Sequence, residues 1–326
     1  MIKKVLKNIG ITLLSLISLF IVVILVLVSF EKQIYGNFYS RVEESVAISG
    51  LDTSFVPQGL EYVEEEDVFL MSGYMNDGGA SRIYVSSKTS SDKYVELKYN
   101  GVNFEGHVGG VSVAGDNVYL ASDDAVYILS LDDVLKAEKA AVVNILNSVV
   151  VDLVPAFTTV YDGYLYVGEF YKKEKYETDP THHITIGNGK MNYALCYAYK
   201  LDAQGNTDFT PSFAISIPNQ VQGLCLSENN LYISTSWAIS NSHLMIYHSN
   251  WKNSPIKFTP KDLNYEIDLF ILNDTRLVED VNMPPMSEEV DYHDGKVYIS
   301  FESAGKKYKS VNVFRQENVL AFDANR

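Results

Sequence analysis

The hydrophobic pattern of the chain changes character once, near residue 30. From Ile9 to Phe30 no residue carries a charge, and the run is 22 residues long. That length of apolar sequence predicts a helix able to cross a bilayer. Beyond it, apolar positions recur every second residue, as in Asn117-Val-Tyr-Leu-Ala-Ser and Lys296-Val-Tyr-Ile-Ser. Period two with β-branched and aromatic side chains predicts strands.

In this strand-rich region the same phrase recurs five times: an apolar segment, a short polar turn, and a second apolar segment ending near Ser or Gly. It begins at Val56, His107, Pro155, Gln220 and Pro285. Its aromatic anchors Phe69, Tyr119, Tyr166, Tyr232 and Tyr298 are spaced by 50, 47, 66 and 66 residues. The turns Gly115-Asp-Asn, Asp162-Gly, Glu228-Asn-Asn and Asp294-Gly carry residues that tolerate positive φ, as tight hairpins require. Further strands are expected at Arg82–Ser86, Ala125–Ser130, Tyr193–Leu201, Leu244–His248 and Val311–Phe314, with one short helix at Asp132–Ala141. A repeat of this length holding about four strands indicates an all-β, five-bladed β-propeller. The two 66-residue intervals leave room for a sixth blade. Closure requires an added strand, and Val42–Ile48 is placed to pair with Asn318–Phe322, removing two sheet edges.

Lys3, Lys4 and Lys7 precede the apolar run and Glu31 follows it, so the positive-inside rule puts the N-terminus in the cytoplasm. A cleaved signal peptide would have a shorter apolar core and a small-x-small site. Neither is visible, and no Cys follows to take a lipid. The expected organisation is a cytoplasmic tail at 1–8, a single-pass signal anchor at 9–30, and an extracytoplasmic propeller at 31–326 exposed at the cell surface.

The chain carries 41 acidic and 26 basic side chains, a net charge of −15. Three of the lysines lie before residue 31, so the exported region has 41 acids against 23 bases, an excess of 18. This excludes a nucleic-acid partner, which would need a basic face. Such a surface should repel anionic lipids and tolerate cations, with solubility outside the cell as the plain account. Cys196 and Cys225, the only cysteines, lie in apolar strands; buried thiols are expected, with a disulfide open in an oxidising compartment. Their spacing does not suit zinc.

The inner strands of a propeller point at one axis, so their first residues form a ring around a funnel. Aligned on the aromatic anchors, Gln58, Gly109, Ala156, Gln222 and Glu288 are equivalent. His107 lies at the same mouth, and loops after the second strands add Tyr74, Asp77, Asp123, Asp124, Glu169, Tyr171, Trp237 and Glu302. Aromatic faces beside carboxylates and amides suit a sugar or a cationic ligand. In Glu288-Glu289 strand alternation lets only one carboxylate face the channel. Glu288 with Asp123, Glu169 and the two glutamines could approach the six or more oxygens calcium needs; no other cofactor is evident. Against these readings, Gln58 and Gln222 can simply satisfy backbone groups, and Gly59, Gly109, Gly110 and Gly223 can answer crowding at the axis. His182-His183 lies in the polar insertion 171–190, which reads as an exposed hairpin or a lid. No Gly-x-Ser-x-Gly elbow, Walker loop, dinucleotide fingerprint or His-Glu-x-x-His occurs. Asn273-Asp-Thr275 fits a glycosylation pattern.

The Gln-Gly pairs at 58–59 and 222–223, with His107-Val-Gly-Gly between them, resemble secreted or membrane-anchored propeller proteins of Gram-positive bacteria. More distantly, residues from about 50 to 326 are similar to gluconolactonase and strictosidine-synthase-like propellers. The latter resemblance implies Glu, Asn and Asp ligands to a metal around the channel. Here only Glu288 or Glu289 supplies an acid, the other equivalent positions being Gln58, Gly109, Ala156 and Gln222.

Two functions follow as expectations. The first is a membrane-tethered propeller that binds a small molecule, a sugar or a protein at its funnel without catalysis. The second is a metal-dependent hydrolase or lactonase with Glu288 as ligand and His107 as general base. A third reading makes the acidic rim an interaction surface in a cell-envelope assembly.

Overall fold

The computed structural model describes residues 2–88, 93–187 and 189–325, with side chains from Asn8 onward. The side chains of Lys3, Lys4 and Lys7, and Asn188 of the expected Gly187-Asn-Gly turn, lie outside that description. Five four-stranded blades surround an axis, and the inner strands touch in a closed ring. Those inner strands are Phe55–Val63 (blade 1), Gly110–Ala114 (blade 2), Pro155–Tyr161 (blade 3), Val221–Leu226 (blade 4) and Ser287–His293 (blade 5). In blades 1, 3, 4 and 5 the inner strand starts at the funnel mouth near Gln58, Ala156, Gln222 or Glu288, and blade 2 starts just after Gly109. Each inner strand runs to a turn on the far face, and the second strand returns to the mouth.

The expected closure forms. Val42–Ala47 is the outer strand of blade 5 and pairs antiparallel with Asn318–Asp323. The molecule is thereby stapled between its first and last strands: Asn318–Asp323 is paired on both sides, and Val42–Ala47 forms the outer edge of the blade, so one edge remains. Among the described residues there is no sixth blade: the long intervals are filled by additions to existing ones. Blade 3 gains Ile267–Ile271, parallel to its outer strand, and Ile256–Phe258 beyond it. A hairpin, Ile184–Gly187 with Lys190–Asn192, stands apart from the blades.

Two expected elements are corrected. The helix covers only Leu131–Lys136, capped by the Ser130 hydroxyl, and Ala141–Asn144 is a strand parallel to blade 1's Lys93–Tyr99. Val311–Phe314 is not a strand; Val311 and Asn312 donate back to the Tyr308 carbonyl in turns. The third strand of blade 5 starts later, at Asn318, because the preceding loop spans the mouth and packs Phe314 edge-on against Tyr35.

The core lies between the blades. Tyr119, Tyr166 and Tyr232 of the anchor series are fully buried, Phe69 nearly so, and Tyr298 packs at its margin against Phe69. Cys196 and Cys225 are buried free thiols, so no disulfide joins them; burial pushes both thiols above the ordinary thiol range.

Helix Ile2–Ser29 contains a span, Asn8–Ser29, apolar and long enough to cross a membrane, none of it buried against the propeller. Two short helices follow, Glu31–Ile34 and Gly36–Tyr39. They descend the outside of the propeller between blades 4 and 5. The Tyr35 hydroxyl donates to Asn241 at the mouth end (2.9 Å), and Arg41 pairs with Glu279 (2.7 Å) toward the far end.

Candidate functional site

An inner strand has no hydrogen-bonded neighbour on its axial side, so its inward N–H groups need other acceptors. Glu289 supplies them for three blades at once. Its Oε2 accepts from the Leu60 N–H (2.7 Å) and the Val111 N–H (2.9 Å), and its Oε1 from the Thr158 N–H (3.2 Å). Glycine makes room for it: a Cβ on Gly110 would stand 2.4 Å from the Thr158 nitrogen, and one on Gly223 2.6 Å from the Glu289 Cα. Two more acids repeat the device lower down. Asp291 accepts from the Tyr62 N–H (2.9 Å) and Glu61 from the Val113 N–H (3.0 Å). Burial pushes the Glu289, Glu61 and Asp291 carboxyls above the usual range, while their amide donors pull the other way.

Strand alternation does not separate Glu288 from Glu289. Register shifts between Ser287 and Val290, leaving two residues opposite one, and such a bulge re-aims side chains. Both carboxylates are buried: Glu289 reaches the axis and Glu288 the mouth. The same shift occurs between Pro57 and Gly59, Pro155 and Phe157, and Val221 and Gly223. Gln58, Ala156, Gln222 and Glu288 are thus structurally equivalent, as their alignment predicts.

At the mouth, Glu288 and Glu302 are hydrogen-bonded to each other. The buried Gln58 amide donates to Glu302 Oε2 at 3.0 Å and to its neighbour's carbonyl at 2.8 Å. Burial raises Glu302 to about 7, against the lowering influence of Lys307, Gln58, Glu288 and Tyr308. Burial, then the Glu302 charge, raise Glu288 well above the usual carboxylate range as well. Glu302 keeps some contact with solvent at the rim, so a fraction of its shift is screened.

The network continues outward. The Lys307 ammonium donates to the Tyr74 hydroxyl (2.6 Å) and lies 5.0 and 4.8 Å from the Tyr74 and Tyr308 ring centres. Tyr74 stacks on His107 with centroids 4.8 Å apart. The His107 backbone N–H donates to Asp123 at 3.4 Å, and the Ser122 hydroxyl donates to the same carboxylate. Burial in the mouth holds the imidazole below its ordinary value, with Asp123 opposing and Lys307 adding to the fall, although the residue as a whole is exposed. Six of the expected residues (Gln58, Tyr74, His107, Asp123, Glu288 and Glu302) therefore join one constellation, to which Lys307 and Tyr308 are additions.

The other three stand apart. Gln222 is half-buried in blade 4. Trp237 belongs to a mouth-side cluster with Phe170 and Tyr176, where Lys172 and Lys175 lie 4.9 and 4.7 Å from its ring centre. Glu169 is not open to the funnel. It is fully buried, accepts the Leu195 N–H (3.0 Å), and meets His182 Nδ1 at 3.1 Å. His182 is 1% exposed, so this pair pins the insertion at its middle, while residues 173–177 and much of the hairpin are exposed as expected. Burial lowers its pKa, but Glu169, Asp152 and Asp179 outweigh that and raise it. Among the described residues no three His, Cys, Asp or Glu side chains are grouped to hold a metal. A sizeable groove, about 580 Å³, lies at the outer edge of blade 3 around Lys200, Asp208, Lys257 and Asp268, away from the axis.

No protein-family model matches the sequence, and no curated protein does. Among solved structures the chain is similar to a glutaminyl cyclase from Myxococcus xanthus, at 8% identity and a TM-score of 0.43, over 87% of this chain and 94% of that one. A gluconolactonase from Xanthomonas campestris aligns at 11% identity and 0.39, over 86% and 95%. Hydrazine synthase from Kuenenia stuttgartiensis aligns at 11% and 0.39, over 79% and 97%. These likenesses are of layout only and transfer no residue role.

Proposed function

We propose that this propeller is tethered to a membrane by residues 9–30 and binds a neutral polyhydroxy ligand, such as a sugar, at its mouth without catalysing a reaction. The supporting observation is the proton-sharing Glu288–Glu302 pair with Gln58 beside it. Together they present a donor, acceptors and an amide within one small space, the set a ring of hydroxyls requires. The aromatic faces of Tyr74 and Tyr308 are already occupied by Lys307, which argues for a neutral ligand over a cationic one. The proposed placement has the N-terminus cytoplasmic and the propeller outside.

The metal-dependent hydrolase reading draws on the same pair. Glu288 and Glu302, with the Gln58 amide oxygen, would hold a divalent ion such as calcium, which would supply Lewis-acid polarisation of a lactone or ester carbonyl, with His107 as base. Thermal-shift titration of the full chain in detergent, with neutral sugars and with calcium, magnesium or zinc salts, separates the two. A sugar-dependent rise abolished in Glu302→Gln and Tyr74→Ala is expected. A rise with a divalent ion alone, or lactone turnover lost in Glu288→Gln, would refute the binding-only reading.

A further inference from the structure

The mouth and the membrane helix share one end of the propeller. The helix ends at Ser29, and two residues later Glu31 accepts the Gln316 amide at 2.6 Å. Two residues span at most about 7 Å, so the helix end stands next to Gln316. Gln316 closes the loop 303–316, which links the second and third strands of blade 5 and also carries Lys307 and Tyr308 into the mouth. Asn241, which takes the Tyr35 hydroxyl, is likewise in a mouth-end loop.

The surface around this exit differs from the rest of the molecule. Loop 303–316 contains Lys306, Lys307, Lys309 and Arg315 and no acid, although the domain carries 18 excess negative charges. All four cations are exposed, as is Lys32. Large apolar side chains are exposed among them: Phe30 at 53%, Ile34 at 47%, Val311 at 60% and Ile239 at 63%. Of the adjacent acids, Glu31 is engaged by Tyr39 and Gln316, and Glu317 is exposed. Elsewhere exposed acid prevails: other mouth loops carry Asp52, Asp77, Glu105, Asp123 and Asp124, and every inner hairpin turn on the opposite face carries it at Glu64 to Asp67, Asp116, Asp162, Glu228 and Asp294, so the basic patch is confined to the helix exit.

We propose that the helix-exit side of the mouth is seated on the bilayer that the helix enters, with Lys306, Lys309 and Arg315 against anionic lipid headgroups and Val311 dipping among them. The orientation rests on the tether reading and goes beyond it, because it commits the funnel to open toward the headgroup layer. Cations held within a Debye length of about 8–10 Å of an anionic surface are attracted, and the acidic turns are turned away from it.

The test uses the full chain in phosphatidylcholine vesicles, with and without phosphatidylglycerol, carrying headgroup-nitroxide lipid. A fluorophore is placed on Val311→Cys or, at the far face, on Asn229→Cys; the native cysteines are buried. Quenching about twofold stronger at 311 than at 229 is expected. Phosphatidylglycerol should increase it, and either high salt or the Lys306→Gln, Lys309→Gln, Arg315→Gln triple variant should remove the increase. The salt arm stands even if the variant misfolds. Equal quenching at the two labels, or indifference to phosphatidylglycerol in an inserted, full-length chain, overturns the seating alone. Loss of residues 1–30, read by intact mass, overturns the tether and the seating together.

Discussion

Glu289 shows how one side chain can look like a ligand and act as a fastener. It accepts three backbone N–H groups from three blades, which no neutral residue of its size can do. Glu289→Gln puts an amide N–H₂ against one of those donors and should cost about 1–3 kcal/mol; Glu289→Ala orphans all three and should cost more, readable by urea unfolding. Unchanged midpoints would contradict the fastening role. Glu302 makes a different prediction, because its carboxyl is raised from 4.5 to about 7 in the folded state. A group with a raised folded pKa stabilises fully below the unfolded value, and that contribution is lost as pH rises to the folded one. Stability should therefore fall between pH 4.5 and 7. A shift of that size is worth about 3 kcal/mol unscreened, and about 1–2 kcal/mol with the solvent contact at the rim. Glu302→Gln should flatten the fall in thermal melts across that window; an identical slope in the variant would count against the coupled pair.

At the scale of elements, the closing strand carries the sharpest test. Val42–Ala47 pairs only with Asn318–Asp323, yet without it that mostly buried strand becomes the exposed edge of blade 5. A chain starting at residue 48 should lose at least about 3 kcal/mol and be cut by protease near blade 5, whereas one starting at 31 should resist. The strand, its partner and all five blades were legible in the sequence because alternation, turn residues and aromatic anchors repeat locally. What stayed hidden depends on contacts distant in sequence. Bulges opposite Gly73, Gly168 and Ser300 leave no mark in the periodicity, so Glu288 and Glu289 read as opposite-facing when both turn inward. Glu61 and Asp291 carry no local mark of their role, because their partners are amides of other blades. Glu169 kept its place at a strand end but not its role, since His182, thirteen residues on, folds back over it. A signal for the axial acids did exist: three carboxylates, at 288, 289 and 291, within one seven-residue inner strand.

For the whole molecule, net charge describes a sum of two unlike faces. The 18 excess acids are unevenly spread: five acidic turns project into solvent on the far face, while loop 303–316 holds four exposed cations and no acid. Lys136 beside Asp116 and Lys296 beside Asp294 relieve the repulsion among the far-face acids only in part. Self-repulsion of that kind destabilises the compact state and is screened by salt. Most of the ion pairs that salt would also weaken are solvent-exposed, as in Lys136–Asp132 and Lys257–Asp268, and contribute little each. Repulsion should therefore win. Raising sodium chloride from about 50 to 500 mM should raise the melting temperature of the full chain in neutral detergent by a few degrees, corresponding to about 1 kcal/mol. Neutralising Glu64, Glu65 and Glu66 to Gln should reproduce some of that gain at low salt and reduce the further gain from salt. A melting temperature that falls with salt would mean that ion pairs outweigh the acidic turns, and the charge separation would then have no energetic consequence for the fold.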